Sequence, residues 1–411
     1  MYFPFYPIPT AIFIVVVIGV TLGLCAYFIL IERKIAAWTQ DRIGPNRVGP
    51  FGLLQPIADG VKFLLKEDVI PDHVDKLFYI LAPAIALSTA MFAIVVVPFG
   101  PTDAPPTRPW PQTVGQEKAA DADPAFQERV DAYNATTQFV IAPHVDIGFL
   151  LVFAVGSLAV YGIILGGWSS NNKYSFLGAL RSSAQIISYE IPLGMSALGV
   201  VLITGALNLE RIIAYQVQHT GWLIVYQPLA FLLFLTSIFA ECNRLPFDLP
   251  EAEQELVGGY HTEYSSMKFA LFFLGEYAHM ITTSFLVSIL FLGGWHLPGL
   301  SEGPAHPAVK VIVICGKMLL FILFSMFIRW TLPRFRFDQL MGIAWKVLIP
   351  LALLNLVAVM VIKHLDVWLI WLLPISLALL VGAGLTALYR PPEARRTIVV
   401  QRGHERVQMR V

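Results

Sequence analysis

Stretches of about twenty apolar residues recur along this chain, and that recurrence constrains its architecture more than any other feature. A helix of roughly twenty residues crosses the hydrocarbon core of a bilayer. Nine such runs stand at about 8–31, 77–99, 147–167, 185–207, 222–240, 269–292, 308–330, 346–362 and 366–388. Lipid offers the backbone no hydrogen-bond partners, so each run is expected to be helical. The alternating pattern of a membrane β-barrel is absent. Charged residues make up 14% of the chain, against about 25% in ordinary soluble domains. The expected fold is an all-α polytopic membrane protein, one membrane domain over 1–411, with about nine transmembrane helices. The count falls to eight if the short link 363–365 is only a kink.

Basic residues set the orientation. With the N-terminus outside, segments 33–76, 168–184, 243–268, 329–346 and 389–411 face inward and hold twenty-one of the 28 Lys and Arg. The outer segments hold six, and the reverse topology would violate the positive-inside rule. The first run is too long for a signal peptide and has no basic flank before it. The polar stretch 101–145 is expected as a long outer loop with one short helix near 124–138. The basic tail 389–411 is expected on the inner side, against anionic lipid or a partner subunit. No basic patch interleaved with aromatics suggests nucleic acid. Cys25, Cys242 and Cys315 form no metal-ligand spacing, so no zinc, haem or iron–sulfur site follows from them.

The chemistry gathers on the inner side. Glu241, Asp248, Glu251, Glu253, Glu255 and Glu263 fall within 23 positions, with Arg244 the one cation among them. Carboxylates beside a membrane are costly to desolvate and point to function. Glu190 is expected about five residues inside the fourth span. Glu276, His279 and Thr283 share one face of the sixth. Lys317 is expected near the midplane of the seventh, where burial should lower its pKa unless a carboxylate faces it. Together these groups read as a graded series that admits protons from the inner side. Leu53, Leu54, Ile57, Val61, Leu64 and Leu65 form the apolar face of an amphipathic helix of about four turns, with Pro56 near its start. It suits the membrane interface, either as a bare surface helix or as a wall of a binding chamber. In the last inner loop Arg329, Arg334 and Arg336 lie beside Asp338 and aromatic rings. They are suited to a polar headgroup, to a partner subunit, or to marking the inner boundary.

Four blocks, ERKIAAWTQDRIGPNRVGPFGLLQPIADGVK, SAQIISYEIP, AECNRLPFDLPEAEQELVGGYHTEYSSMKFALFFLGEY and LPRFRFDQLMGIAWK, closely resemble the H-subunit family of bacterial NADH:quinone oxidoreductase, or respiratory complex I, whose mitochondrial homologue is NADH dehydrogenase subunit 1. The chain departs from that family over 101–145, which is longer, and the ninth span is present in only some members. The resemblance implies a membrane subunit that anchors the electron-carrying peripheral arm. Its inner loops and interfacial helix would form much of a chamber that ubiquinone or menaquinone enters from the lipid. FMN and iron–sulfur clusters would reside on partner subunits of the peripheral arm, with further partners in the membrane arm, all in the bacterial inner membrane. Carried onto this chain, Trp38, Gln40, Arg42, Phe247, Asp248 and Arg336 match the chamber. Glu190, Glu241, Glu251, Glu253, Glu255, Glu276 and Lys317 match the coupling residues, and Gly258 and Gly259 would supply a hinge. Competing expectations are the equivalent subunit of a membrane-bound hydrogenase or a ferredoxin- or deazaflavin-linked complex, a stand-alone proton or cation transporter, and a passive anchor.

Overall fold

The computed structural model describes residues 7–103, 124–135, 139–142, 145–248, 257–298, 306–365, 368–388, 397–402 and 405–410. Glu251, Glu253 and Glu255, and most of the expected outer loop, lie outside the described residues. Among the described residues, seven helices are long and apolar enough to cross a membrane. They are α1 (Pro7–Thr39), α3 (Lys76–Ala93, extended by a 3-10 turn to Val96), α5 (Gly148–Ser169), α6 (Lys173–Thr204), α10 (Ser266–Phe291), α11 (Pro307–Thr331) and α12 (Phe337–His364). Two shorter apolar helices, α9 (Pro228–Glu241) and α13 (Leu372–Leu388), occupy the remaining two expected spans. Short helices α2 (Gln55–Leu65), α4 (Pro124–Ala135), α7 (Leu209–Tyr215) and α8 (Leu223–Tyr226) complete the set of α-helices. Thr397–Arg402 and Glu405–Arg410 pair as an antiparallel hairpin, an addition to the all-helical expectation.

Local chemistry sets the helix ends. Asp75 and Asn172 cap α3 and α6 by accepting from the backbone N–H of Leu77 and Tyr174, which satisfies donors that a helix start leaves orphaned. Gly205 ends α6 in the left-handed conformation that glycine adopts without penalty. Pro228 divides the fifth expected span: Gln227 leaves helical geometry, α8 stops, and α9 starts with that proline in its first turn. After α9 the chain turns sharply at Asn243, φ 48°, a conformation asparagine tolerates better than most residues.

Several boundaries reach beyond the sequence expectation: α1 runs to Thr39, α12 starts at Phe337, and α6 starts early. Helix α6 begins at Lys173, so Glu190 lies seventeen residues along it rather than five. The added turns carry Ser175, Ser182 and Ser183, all buried against protein, so hydropathy does not register them. The amphipathic helix α2 is eleven residues long, about three turns, and Leu53 and Leu54 precede it.

The core lies between α5, α6, α9 and α10. Helix α3 packs closely on α5, because a Cβ at Gly162 would come within about 3.0–3.1 Å of the backbone at Ala86 and Ala82. The loop after the acidic segment is seated the same way on α6, where a Cβ at Gly178 would meet Gly259 Cα at 2.7 Å. This contact pins one of the two expected hinge glycines against a helix.

Candidate functional site

Helices α1, α2 and α10 enclose a cavity of about 600 Å³, within the size range of small-molecule sites. Leu22, Ala26 and Ile29 supply one wall, Pro56, Gly60 and Phe63 of α2 a second, and Phe273 and Leu274 a third. The wall is apolar except where charges converge. Glu32, in the last third of α1, receives both Arg244, at 2.9 and 3.0 Å, and Arg329. The Tyr277 hydroxyl donates to Glu32 Oε2 at 2.5 Å, and the Arg244 guanidinium lies 4.3 Å from the Tyr277 ring centre. Two guanidiniums and a phenol thus converge on one carboxylate. Arg33 pairs with Asp59 at 2.7 Å on the exposed side.

A second network lies between α5, α6, α9 and α10. Glu241, at the last turn of α9, is 3.3 Å from His279 Nε2, and Glu276 accepts from the Tyr260 hydroxyl at 2.9 Å. All four border one cavity of about 50 Å³. Glu190 accepts from the Ser157 hydroxyl of α5 and does not border that cavity. Gln185 is fully buried. Its amide donates to the carbonyls of Ala240 and Phe247, each at 2.8 Å, so one side chain fixes both ends of the turn that carries Glu241. Burial pushes the neighbouring His261 down to about 4, so the imidazole is neutral at ordinary pH, and pushes the Tyr264 hydroxyl up to about 12.

The six chamber candidates divide. Phe247 and Asp248 are buried; Phe247 stacks on Phe335, ring centres 5.8 Å apart, and Asp248 pairs with Arg334 at 3.2 Å. Trp38 is exposed in the last turns of α1 and Gln40, Arg42 and Arg336 on loop surfaces, and these four do not line the large cavity. Arg42 donates to Gln40 at 2.7 Å. Among the coupling candidates, Glu241 and Glu276 come together and Lys317 does not join them. The Lys317 ammonium donates to the carbonyls of Leu292, Gly294 and His296 at 2.6–2.8 Å and lies 4.8 Å from the Trp222 ring centre. What faces it is a chain turn and an indole, with no carboxylate in the set.

Sequence reasoning missed Glu32, Tyr277 and the roles of Arg244 and Arg329. The available signal was the unusual placement of Glu32 directly after a long apolar run. No group of three or more His, Cys, Asp or Glu suited to a metal occurs among the described residues, and the three cysteines are free thiols.

The chain matches the family model described as NADH dehydrogenase over residues 12–360. It is 48% identical over 350 residues to the NADH-quinone oxidoreductase H subunit numbered 2 of Koribacter versatilis, a match covering 84% of this chain and 93% of that protein. It is 46% identical to the NADH-quinone oxidoreductase H subunit of Thermomicrobium roseum, covering 83% and 92%. The corresponding protein of Flavobacterium johnsoniae is 40% identical, covering 87% and 96%. With matches of this extent, and with helices of membrane-spanning length where the apolar runs predict them, the chain is a multi-pass membrane protein that belongs to the NADH dehydrogenase family, among the H subunits of NADH-quinone oxidoreductase.

Proposed function

We propose that this chain is the membrane subunit of a proton-translocating NADH-quinone oxidoreductase in a bacterial inner membrane, with its N-terminus outside. In this reading the large cavity admits the quinone from the lipid, and buried glutamates couple its reduction to proton movement. Electrons arrive from FMN and iron–sulfur clusters on partner subunits of the peripheral arm. The chain's own contribution is a shaped cavity and its charges. The carrying observation is the apolar cavity of about 600 Å³ bordered by Glu32, Arg329 and Tyr277, with Arg244 bonded to Glu32 from outside that lining.

An isoprenoid tail suits the apolar walls. The headgroup accumulates negative charge as it takes up electrons, and the Arg329 guanidinium with the Tyr277 hydroxyl at the cavity wall stabilises that charge. Arg244 also ties the cavity to the second network, because it lies three residues after Glu241 on the turn that Gln185 holds. Charge appearing in the cavity is thereby transmitted to carboxylates that titrate as a coupled set. Ubiquinone and menaquinone both fit this chemistry.

The test is turnover in the assembled complex. Glu241→Gln is expected to lower coupled NADH:quinone turnover by about ten-fold or more. Arg244→Lys, which replaces the planar guanidinium stacked on Tyr277 by a compact ammonium, is expected to raise the KM for quinone. Normal coupled turnover in a fully assembled Glu241→Gln complex would overturn the coupling role. An unchanged quinone KM in Arg244→Lys would overturn the chamber.

A further inference from the structure

The small cavity bordered by Glu241 and Glu276 is not the last space along this path. A second cavity, of about 20 Å³, lies farther along the same helices and is bordered by Phe234, Ile238, Thr282, Thr283 and Leu286. Glu241 and His279 border both. The order along the helices fixes the arrangement. Glu276 precedes His279 on α10 and borders only the first space. Thr282 and Thr283 follow it and border only the second. Both volumes exceed the ~10–15 Å³ that one water needs, and each space offers the polar groups a buried water requires. Tyr260, Asn243 and Glu276 serve the first, and the two threonine hydroxyls serve the second. Two features keep the partition thin. Gly156 of α5 faces it without a side chain, its Cβ position 3.6 Å from Glu241 Oε1. Glu241 Oε2 is buried without a hydrogen-bond partner among the described residues, which leaves it open to water.

We propose that the His279–Glu241 pair is the gate between two hydrated spaces, and that each proton crossing this part of the molecule passes through it. This rests on the functional reading above and assigns the gating step to a histidine. The transfer balances simply. Imidazolium and carboxylate become imidazole and carboxylic acid as the proton moves from Nε2 to Oε1, with no change in net charge. The acid then turns its carboxyl group so that the protonated oxygen takes the place of Oε2 and releases its proton to water there, and the imidazole is reprotonated from the other space.

The test uses the intact complex in inside-out membrane vesicles, reading NADH oxidation with quinone and acidification with a pH-sensitive dye. His279→Gln keeps a hydrogen-bonding amide and carries no proton. It is expected to lower coupled turnover by about ten-fold or more, with the quinone KM within about two-fold of the parent. Gly156→Ala, which places a methyl group in the first space, is expected to slow turnover by a few-fold with the complex intact. If Glu241→Gln loses coupled turnover while His279→Gln keeps it, the gate is overturned and the functional reading stands. If both keep it, that reading falls as well. If His279→Gln does not assemble, Gly156→Ala decides alone, and parental turnover in it overturns the gate.

Discussion

Two places in this molecule bury charge in a membrane-spanning region, and they are built in opposite ways. At the turn after α10, the Lys317 ammonium has three donors and three backbone carbonyls to receive them, with an indole alongside. Between α1 and α10, one glutamate is shared by two arginines and a tyrosine at the edge of a 600 Å³ cavity. The lysine closes a count: carbonyls beyond the end of a helix gain a cation, which offsets the helix dipole. The glutamate cluster instead sets Glu32, Arg329 and Tyr277 on the lining of the large cavity. A buried charge in a bilayer is therefore weak evidence for function by itself. Lys317 also borders a cavity, of about 590 Å³, so what separates the two is the partners: backbone carbonyls for the lysine, ionisable side chains for the glutamate.

The largest effect expected from this contrast is at Arg244. Arg244→Leu leaves Glu32 short of a buried partner, which typically costs about 3–5 kcal/mol. The assembled complex should melt earlier and lose quinone reduction by about 100-fold, while a water-soluble acceptor that takes electrons before the membrane is still reduced. Next is Gln185→Leu, which frees two buried carbonyls at about 1–3 kcal/mol in all. Turnover and the quinone KM should both worsen, because the turn bearing Glu241 and Phe247 loosens.

Lys317→Met sharpens the comparison from the other side. It should lower thermal stability by about 1–3 kcal/mol and leave the quinone KM and the proton yield per NADH unchanged. A coupling defect in a stable Lys317→Met complex would erase the contrast between the two buried charges. The smallest effect is a pH slope at Glu210, in α7 between the fourth and fifth expected spans. Burial raises this carboxyl to about 8, against the pull of Arg211. A folded-state pKa above the unfolded value gives stability that is complete below about pH 4.5 and is lost as pH rises through about 8. Thermal stability should therefore fall across that window, and Glu210→Gln should flatten the slope.

Hydropathy made the nine apolar segments legible, since lipid leaves the backbone no alternative. It missed the first turns of α6, because Lys173, Arg181 and three serines lower their hydropathy, although protein buries Ser175, Ser182 and Ser183. The crowding of carboxylates from Glu241 onward was readable as a local density of like charge. The charged end of the large cavity was not, because Glu32 meets Arg244 and Arg329 across 212 and 297 positions. No local pattern records such a pairing. The family resemblance pointed to Trp38, Gln40, Arg42 and Arg336; Trp38 is exposed in the last turns of α1 and the other three on loop surfaces, outside the lining of the large cavity.

The span between Glu32 and Arg329 has a consequence for biogenesis. A ribosome adding about 5–20 residues per second emits Arg329 some 15 to 60 s after Glu32, because 297 positions separate them. Until Arg244 emerges, 212 positions after Glu32, the glutamate has neither salt partner, so water or a chaperone must solvate it. The compartment between α1, α2 and α10 is thus sealed late, as one of the closing events of insertion. A nascent chain arrested before α11 would hold its helices in place around an unfinished room.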